Sequence, residues 1–185
     1  RPRRMKTKTK TTLVLARHGL TDWNVERRYQ GHLDPPLNET GRTQARDLAA
    51  RLAAMDLAAI YASDLARAFE TASIVASTRR LPVTPERGLR EVDVGSWSGL
   101  TRDEIARRFP EPRRHDGETE DALFTRVHDA VVRIARAHHG QTILIVSHGA
   151  SLRLLRRRVL RLETAAPLAN CETYTLLFDG QFRER

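Results

Sequence analysis

Leu13-Val14-Leu15-Ala16-Arg17-His18-Gly19 is an apolar run that stops abruptly at a cation, an imidazole and a glycine, and the architecture of the chain follows from it. Four apolar residues between polar neighbours read as a strand buried on both faces of a parallel sheet, with Arg17 and His18 in the loop at its carboxyl end. Open α/β sheets bind their ligands at such ends. Thr142-Ile143-Leu144-Ile145-Val146-Ser147-His148-Gly149 repeats the design, and a helix-forming segment follows it. Two strand-end histidines on one sheet can face each other across a shared site.

The segments between these strands alternate helix and strand. Residues 19–36 read as a polar loop, long enough to line a site. Asn38 can cap a helix beginning near Glu39, with Ala45, Leu48, Ala49 and Leu52 on one face. A second strand spans 57–62, and either Ser63 or Asp64 can cap the next helix. That helix buries Leu65, Ala68, Phe69, Ala72, Val75 and Ala76 and carries Arg67 on another face in its first turn, where a helix N-terminus attracts anions. Residues 82–84 read as a short strand, 88–101 as an irregular segment, and Thr101 caps a short helix through Arg108. A proline-bearing loop, 109–117, precedes the longest helical pattern, 118–138, with Leu123, Val127, Val131, Ile134 and Ala135 inward and Arg126, Arg133 and Arg136 outward. After Gly149 a helix runs to about Leu162 with Arg153, Arg156, Arg157, Arg158 and Arg161 on a solvated face. Residues 173–178 alternate like a last strand at a sheet edge. The expected fold is a single-domain three-layer α/β/α sandwich around a largely parallel sheet.

The 185 residues carry a net charge of +9, which invites a nucleic-acid reading. Six basic residues and no acid lie in 1–10; elsewhere 26 bases face 23 acids, so the excess is mostly an N-terminal arm read as disordered and solvated, with the folded domain in 11–185. Aromatics are only 5% of the chain and do not interleave with the bases, which argues against nucleic acid. Cys171 is the one cysteine, so no internal disulfide forms; no Cys/His cluster has zinc spacing, and no run reaches the roughly 20 apolar residues of a membrane span. These features predict a cytoplasmic protein with no metal and no cofactor.

Arg17 and Arg67 supply planar forks, and the loops around Asn24 and Ser63 add neutral donors, so an anion pocket follows from residue types alone. The motifs Arg17-His18-Gly19, Trp23-Asn24, Gln30-Gly31, 34–37 (DPPL), Gly41, Gln44-Ala45, 62–68 (ASDLARA), Thr71-Ala72, Leu89-Arg90-Glu91, Gly95, Trp97, 99–101 (GLT) and Ser147-His148-Gly149 occur in an order and spacing that resemble the histidine phosphatase superfamily, in its phosphoglycerate-mutase-like branch. Leu20 and Ala150 depart from residues frequent in that family, a glutamate or glutamine and a second glycine, and neither departure removes a catalytic group.

The resemblance implies that His18 accepts a phosphoryl group as phosphohistidine, that Arg17, Arg67 and His148 stabilise the transferring oxygens, and that Glu91 is the general acid and base, with Asp93 its rival in sequence. It also places Asn24, Gln30, Gly31, Ser63 and Gly149 at the substrate. Nearby guanidinium groups should keep His18 uncharged and nucleophilic. Related mutases have a longer insertion between acid and second histidine and a tyrosine shortly after the acid; this chain has 57 positions between Glu91 and His148 and lacks that tyrosine. The expected activity is therefore hydrolysis of small-molecule phosphomonoesters without a metal. A cofactor-dependent phosphoglycerate mutase is the enzymatic alternative, and a non-enzymatic phosphate or nucleic-acid binding protein the third reading.

Overall fold

The computed structural model describes residues 9–111 and 113–185. Most of the expected arm, residues 1–8, and Pro112 of the expected loop lie outside the described residues. In chain order the elements are β1 (Thr11–Arg17), α1 (Asp22–Val25), α2 (Glu39–Arg51), β2 (Ala59–Ala62), α3 (Ala66–Ser77), β3 (Val83–Pro85), α4 (Arg102–Arg108), α5 (Glu120–Ala137), β4 (Thr142–Ser147), α6 (Gly149–Val159), β5 (Thr173–Phe178) and β6 (Phe182–Glu184). One sheet holds all six strands in the order β3-β2-β4-β1-β5-β6. The pairs β2–β3, β2–β4 and β1–β4 are parallel, whereas β1–β5 and β5–β6 are antiparallel.

Strand alternation divides the core into two layers. Leu13, Leu15, Ile143 and Ile145 face Val127, Val131 and Ile134 of α5 and Leu152 and Leu155 of α6. Val14, Ala16, Leu144 and Val146 face Ala45 and Leu48 of α2 and Ala68, Ala72 and Val75 of α3. A sheet covered on both faces needs apolar residues at every strand position, which explains why β1 and β4 read as unbroken apolar runs. After β1 the chain leaves toward the α2 face, and after β4 toward the α6 face. The carboxyl ends of these adjacent parallel strands therefore flank a switch point, where a crevice opens.

Several expectations need correction. The 19–36 loop contains α1, held by a capping box in which Thr21 and Asn24 each receive the other's backbone N–H. Neither Ser63 nor Asp64 caps α3; the Ala66 N–H donates instead to Asp34 Oδ1 at 2.7 Å, from a loop remote in sequence. Strand β5 is not an edge, since β6 pairs with it beyond a tight turn at 179–181, a three-residue strand too short for its alternation to register. The long helix begins at Glu120 behind a Thr119 cap, and α6 ends at Val159.

The N-terminus of α2 sits directly against the loop after His18. An added Cβ on Gly41 would lie 2.1 Å from the Leu20 carbonyl oxygen, and one on Gly19 would lie 2.5 Å from the Gly41 oxygen, so two glycines make this approach possible. Asn38 N–H to Leu20 O (3.0 Å) and Leu20 N–H to Gln44 Oε1 (2.9 Å) hold it. Gly41→Ala is predicted to cost about 1–3 kcal/mol of stability through overpacking and to lower turnover, as measured by urea titration and steady-state kinetics. Wild-type values in both would contradict the seating of α2 on this loop.

Candidate active site

Parallel register places Arg17 opposite Ser147, so the next residue of each chain segment is a histidine. The His18 N–H donates to Ser147 O at 3.0 Å, and the two imidazoles meet edge to face with centroids 5.2 Å apart. Both are buried, at 2% and 0% exposure. His18 Nδ1 lies 2.7 Å from Gly19 O. A carbonyl only accepts, so Nδ1 carries the proton and Nε2 keeps its lone pair. His148 Nε2 lies 2.8 Å from Ser63 Oγ, which also accepts from the Leu65 N–H at 3.3 Å. The Ser63 hydroxyl has one proton and two lone pairs, so beside the Leu65 N–H it can either donate to Nε2 or accept from it. Burial first, and the Arg67 and Arg17 charges second, hold His18 well below the ordinary imidazole value. His148 is held low by burial and then by Arg67. Both rings are neutral at physiological pH.

Arg67 is wholly buried, its Nη1 and Nη2 donating to Leu33 O and Gly31 O at 2.8 Å each. These carbonyls belong to the loop after α1, so the loop fixes a cation that is anchored on a helix. Arg17 Nη1 donates to Leu168 O at 2.6 Å, and its guanidinium lies over Gly149, where a Cβ would come within 3.2 Å of Nε. Burial lowers the pKa of both arginines, opposed mainly by the charge of Glu91. Among the described residues, the buried polar side-chain atoms without a hydrogen-bond partner are Arg17 Nε, Arg67 Nε and His148 Nδ1, on side chains near His18, and Arg79 Nε and Arg156 Nε elsewhere.

Glu91 lines the same cavity as Arg17, His18 and Arg67. Its Oε1 accepts from Ser151 N–H (3.0 Å), Ser151 Oγ (2.9 Å) and Val92 N–H (3.0 Å), and its Oε2 from Ala150 N–H at 3.1 Å. The carboxylate thus caps α6, whose own N-cap His148 contributes no side-chain bond. Asp93, its rival, turns away to bond the Gly95 N–H at 2.9 Å and does not line the cavity. Arg17, His18, Arg67 and Glu91 line a cavity of about 380 Å³, and His148 is buried edge to face against His18.

A family model described as the histidine phosphatase superfamily (branch 1) matches residues 13–184. The chain belongs to the histidine phosphatase superfamily. It is 41% identical over 160 residues to phosphoglycerate mutase-like protein 4 of Arabidopsis thaliana, covering 79% of this chain and 70% of that protein. A metal-independent phosphoserine phosphatase of the same plant is 38% identical over 174 residues, covering 86% and 73%. The structure of Bacillus stearothermophilus YhfR superposes with a TM-score of 0.88 at 38% identity, covering 94% of this chain and 95% of that one.

Within this histidine phosphatase fold the other expected site residues divide. Asn24, Gln30 and Gly31 line the cavity; Ser63 and Gly149 do not, the first orienting His148 and the second making room for Arg17. The segment before β5, which no sequence motif singles out, clamps the strand that carries His18: Cys171 N–H donates to Arg17 O at 3.0 Å and Asn170 Nδ2 to His18 O at 3.0 Å. Burial raises the Cys171 thiol to about 11, so it stays protonated. Arg126, expected to point outward, is a second correction. It makes bonds of 2.8 and 2.7 Å to the two Glu118 oxygens and donates to Gly88 O, Arg90 O and Glu91 O, tying down the loop that carries Glu91. The remaining wall includes Arg28, Arg114, Arg153 and Arg157, so part of the helix face read as solvated turns to the cavity. No group of three or more His, Cys, Asp or Glu side chains among the described residues is placed to hold a metal ion.

Two expected outcomes test this geometry. Because the native state keeps both histidines neutral while the unfolded chain protonates them below 6.5, the unfolded state binds more protons and stability falls on acidification. Denaturant titrations should lose up to about 1.4 kcal/mol per pH unit for each histidine below that value, with a shallower slope in His18→Asn; identical slopes would contradict a buried neutral His18. Arg126→Met should lower kcat more than it raises KM, since it frees the Glu91 loop while leaving the arginine pocket in place. An effect on KM alone would contradict this.

Proposed function

We propose that the protein is a metal-independent phosphatase of small phosphomonoesters, acting in the cytoplasm through a phosphohistidine on His18. The observation that carries this reading is the pair of buried, unpartnered donors Arg17 Nε and Arg67 Nε, with the equally unpartnered Nδ1 of His148, beside a neutral imidazole whose Nε2 lone pair is free. Leaving such donors unsatisfied costs about 1–3 kcal/mol each. Phosphoryl oxygens, charged and acceptor-only, are the partners that match them. No helix among the described residues is long and apolar enough to cross a membrane.

In the first step His18 Nε2 attacks phosphorus; the P–N bond forms as the P–O bond to the alcohol breaks, and the departing oxygen takes a proton from the Glu91 carboxyl. In the second, Glu91 removes a proton from water, the water oxygen attacks phosphorus, and the P–N bond breaks to release inorganic phosphate. Arg17, Arg67 and His148 hold the oxygens throughout, placed before the reaction begins. Gln30 and Asn24 on the cavity wall contact the phosphoester, while Gly31 aims Arg67 through its carbonyl.

Hydrolysis of p-nitrophenyl phosphate should survive EDTA and be lost in His18→Ala; full activity in that variant would refute the nucleophile. Glu91→Gln should slow an alkyl phosphate by about 10²–10⁴-fold and p-nitrophenyl phosphate far less, because nitrophenolate leaves without a proton. Equal losses on both would contradict the acid. Isomerisation of 3-phosphoglycerate primed with bisphosphoglycerate should be negligible beside hydrolysis, and the reverse would favour a mutase.

A further inference from the structure

His18 presents a bare Nε2 only while Nδ1 keeps its proton on the Gly19 carbonyl oxygen, 2.7 Å away. A neutral imidazole can carry its proton on either nitrogen, and the hydrogen bond made by one decides the state of the other. Gly19 is a poorly restrained residue on which to hang that decision, because without a Cβ its backbone turns more freely than any other. It has to be glycine, since a Cβ there would lie 2.5 Å from the Gly41 oxygen. Its carbonyl must therefore be aimed by something other than its own conformational preference.

The two peptide groups on either side of Gly19 are held by side chains remote in sequence. In the group that joins His18 to Gly19, the His18 oxygen accepts from Asn170 Nδ2 at 3.0 Å and the Gly19 N–H donates to Thr71 Oγ1 at 3.0 Å. In the group that joins Gly19 to Leu20, the oxygen meets His18 Nδ1 and the Leu20 N–H donates to Gln44 Oε1 at 2.9 Å. A peptide group is planar, so fixing its N–H also fixes the direction of its carbonyl. Donation by the N–H polarises the group and makes the carbonyl a better acceptor. Gln44 stands next to Ala45 on α2, and burial of Ala45 and Leu48 against the sheet gives its amide a rigid base. The Gln44 side chain makes this one hydrogen bond among the described residues.

We propose that Gln44 is a positioning residue for His18: through the Leu20 N–H it aims the Gly19 carbonyl at the imidazole, which keeps the proton on Nδ1 and the lone pair on Nε2. This rests on the phosphatase reading above. Without the amide oxygen the Gly19–Leu20 peptide turns, Nδ1 loses its partner, and part of the population carries its proton on Nε2, where it blocks attack on phosphorus. Arg17 and Arg67 are anchored on other carbonyls, those of Leu168, Leu33 and Gly31, so the hold on phosphate is unaffected.

Nitrogen NMR of the substrate-free protein, labelled at its histidine nitrogens and held at a pH where every imidazole is neutral, tests this, because protonated and bare ring nitrogens resonate far apart. The His18 signals are those missing from His18→Asn. Wild type should show Nδ1 protonated and Nε2 bare, and Gln44→Met should show a mixture with Nε2 protonated. The kcat of Gln44→Met on p-nitrophenyl phosphate should fall about tenfold, the scale of one lost hydrogen bond. Its KM and its affinity for inorganic phosphate should stay within about twofold of wild type, as for a group that acts on the chemical step alone. Gln44→Glu, which keeps an acceptor oxygen, should return the Nδ1-protonated form. Gln44→Asn, whose amide is one methylene too short, carries the same expectations as Gln44→Met and takes its place if that variant does not fold. An Nε2-protonated His18 in wild type, an unchanged tautomer in the Met and Asn variants, or a loss confined to KM and phosphate affinity would overturn the proposal. The spectra need no turnover, so a chain that hydrolyses no phosphomonoester would overturn the phosphatase reading while the tautomers still decide what Gln44 does to His18.

Discussion

The parallel pairing of β1 with β4 is the constraint on which the site depends. It sets Arg17 against Ser147 and so delivers His18 and His148 side by side at the sheet's carboxyl edge. A one-residue slip would turn every side chain of a strand to the other face. Leu13 and Leu15 would then leave the α5–α6 layer and Val14 and Ala16 the α2–α3 layer. The apolar packing of both layers therefore protects a polar geometry that contributes nothing to it.

The site's electrostatics are costly to build and follow from the same burial. Two guanidinium groups are taken out of water, held by the Glu91 charge and hydrogen-bonded to backbone carbonyls, Leu168 for Arg17 and Leu33 and Gly31 for Arg67. Carbonyls orient a cation without neutralising it, so the positive field remains available to an anion and keeps the imidazoles uncharged. Glu91 is treated differently: it is bound by the N-terminus of α6 and by Ser151, which fixes its position on the cavity wall. Asp34 links the parts, since it caps α3 just ahead of Arg67 and lies 3.7 Å from that guanidinium.

Much of this was legible in the sequence, because it depends on local signals. The apolar runs ending in Arg17-His18 and Ser147-His148, the Asn38 and Thr101 caps and the stripes of α2, α3 and α5 are properties of short windows. What escaped was held by contacts distant in sequence. Asp34 caps a helix 32 residues away, Cys171 and Asn170 reach β1 across an antiparallel pair, and Arg126 bonds carbonyls that no periodicity reveals. The arginines of α6 read as solvated because a helical pattern does not say which polar face meets a cavity.

The chemistry proposed for His18 depends on one fixed tautomer. With Nδ1 committed to the Gly19 carbonyl, His18 can present only Nε2, and only as a lone pair. Rapid acid-free quench of a single turnover, followed by peptide mass spectrometry, tests this most directly. The expected result is a transient phosphoryl group on the peptide containing His18, labile to acid and attached at Nε2. Turnover with no phosphorylated peptide, or with the group on His148, would contradict it.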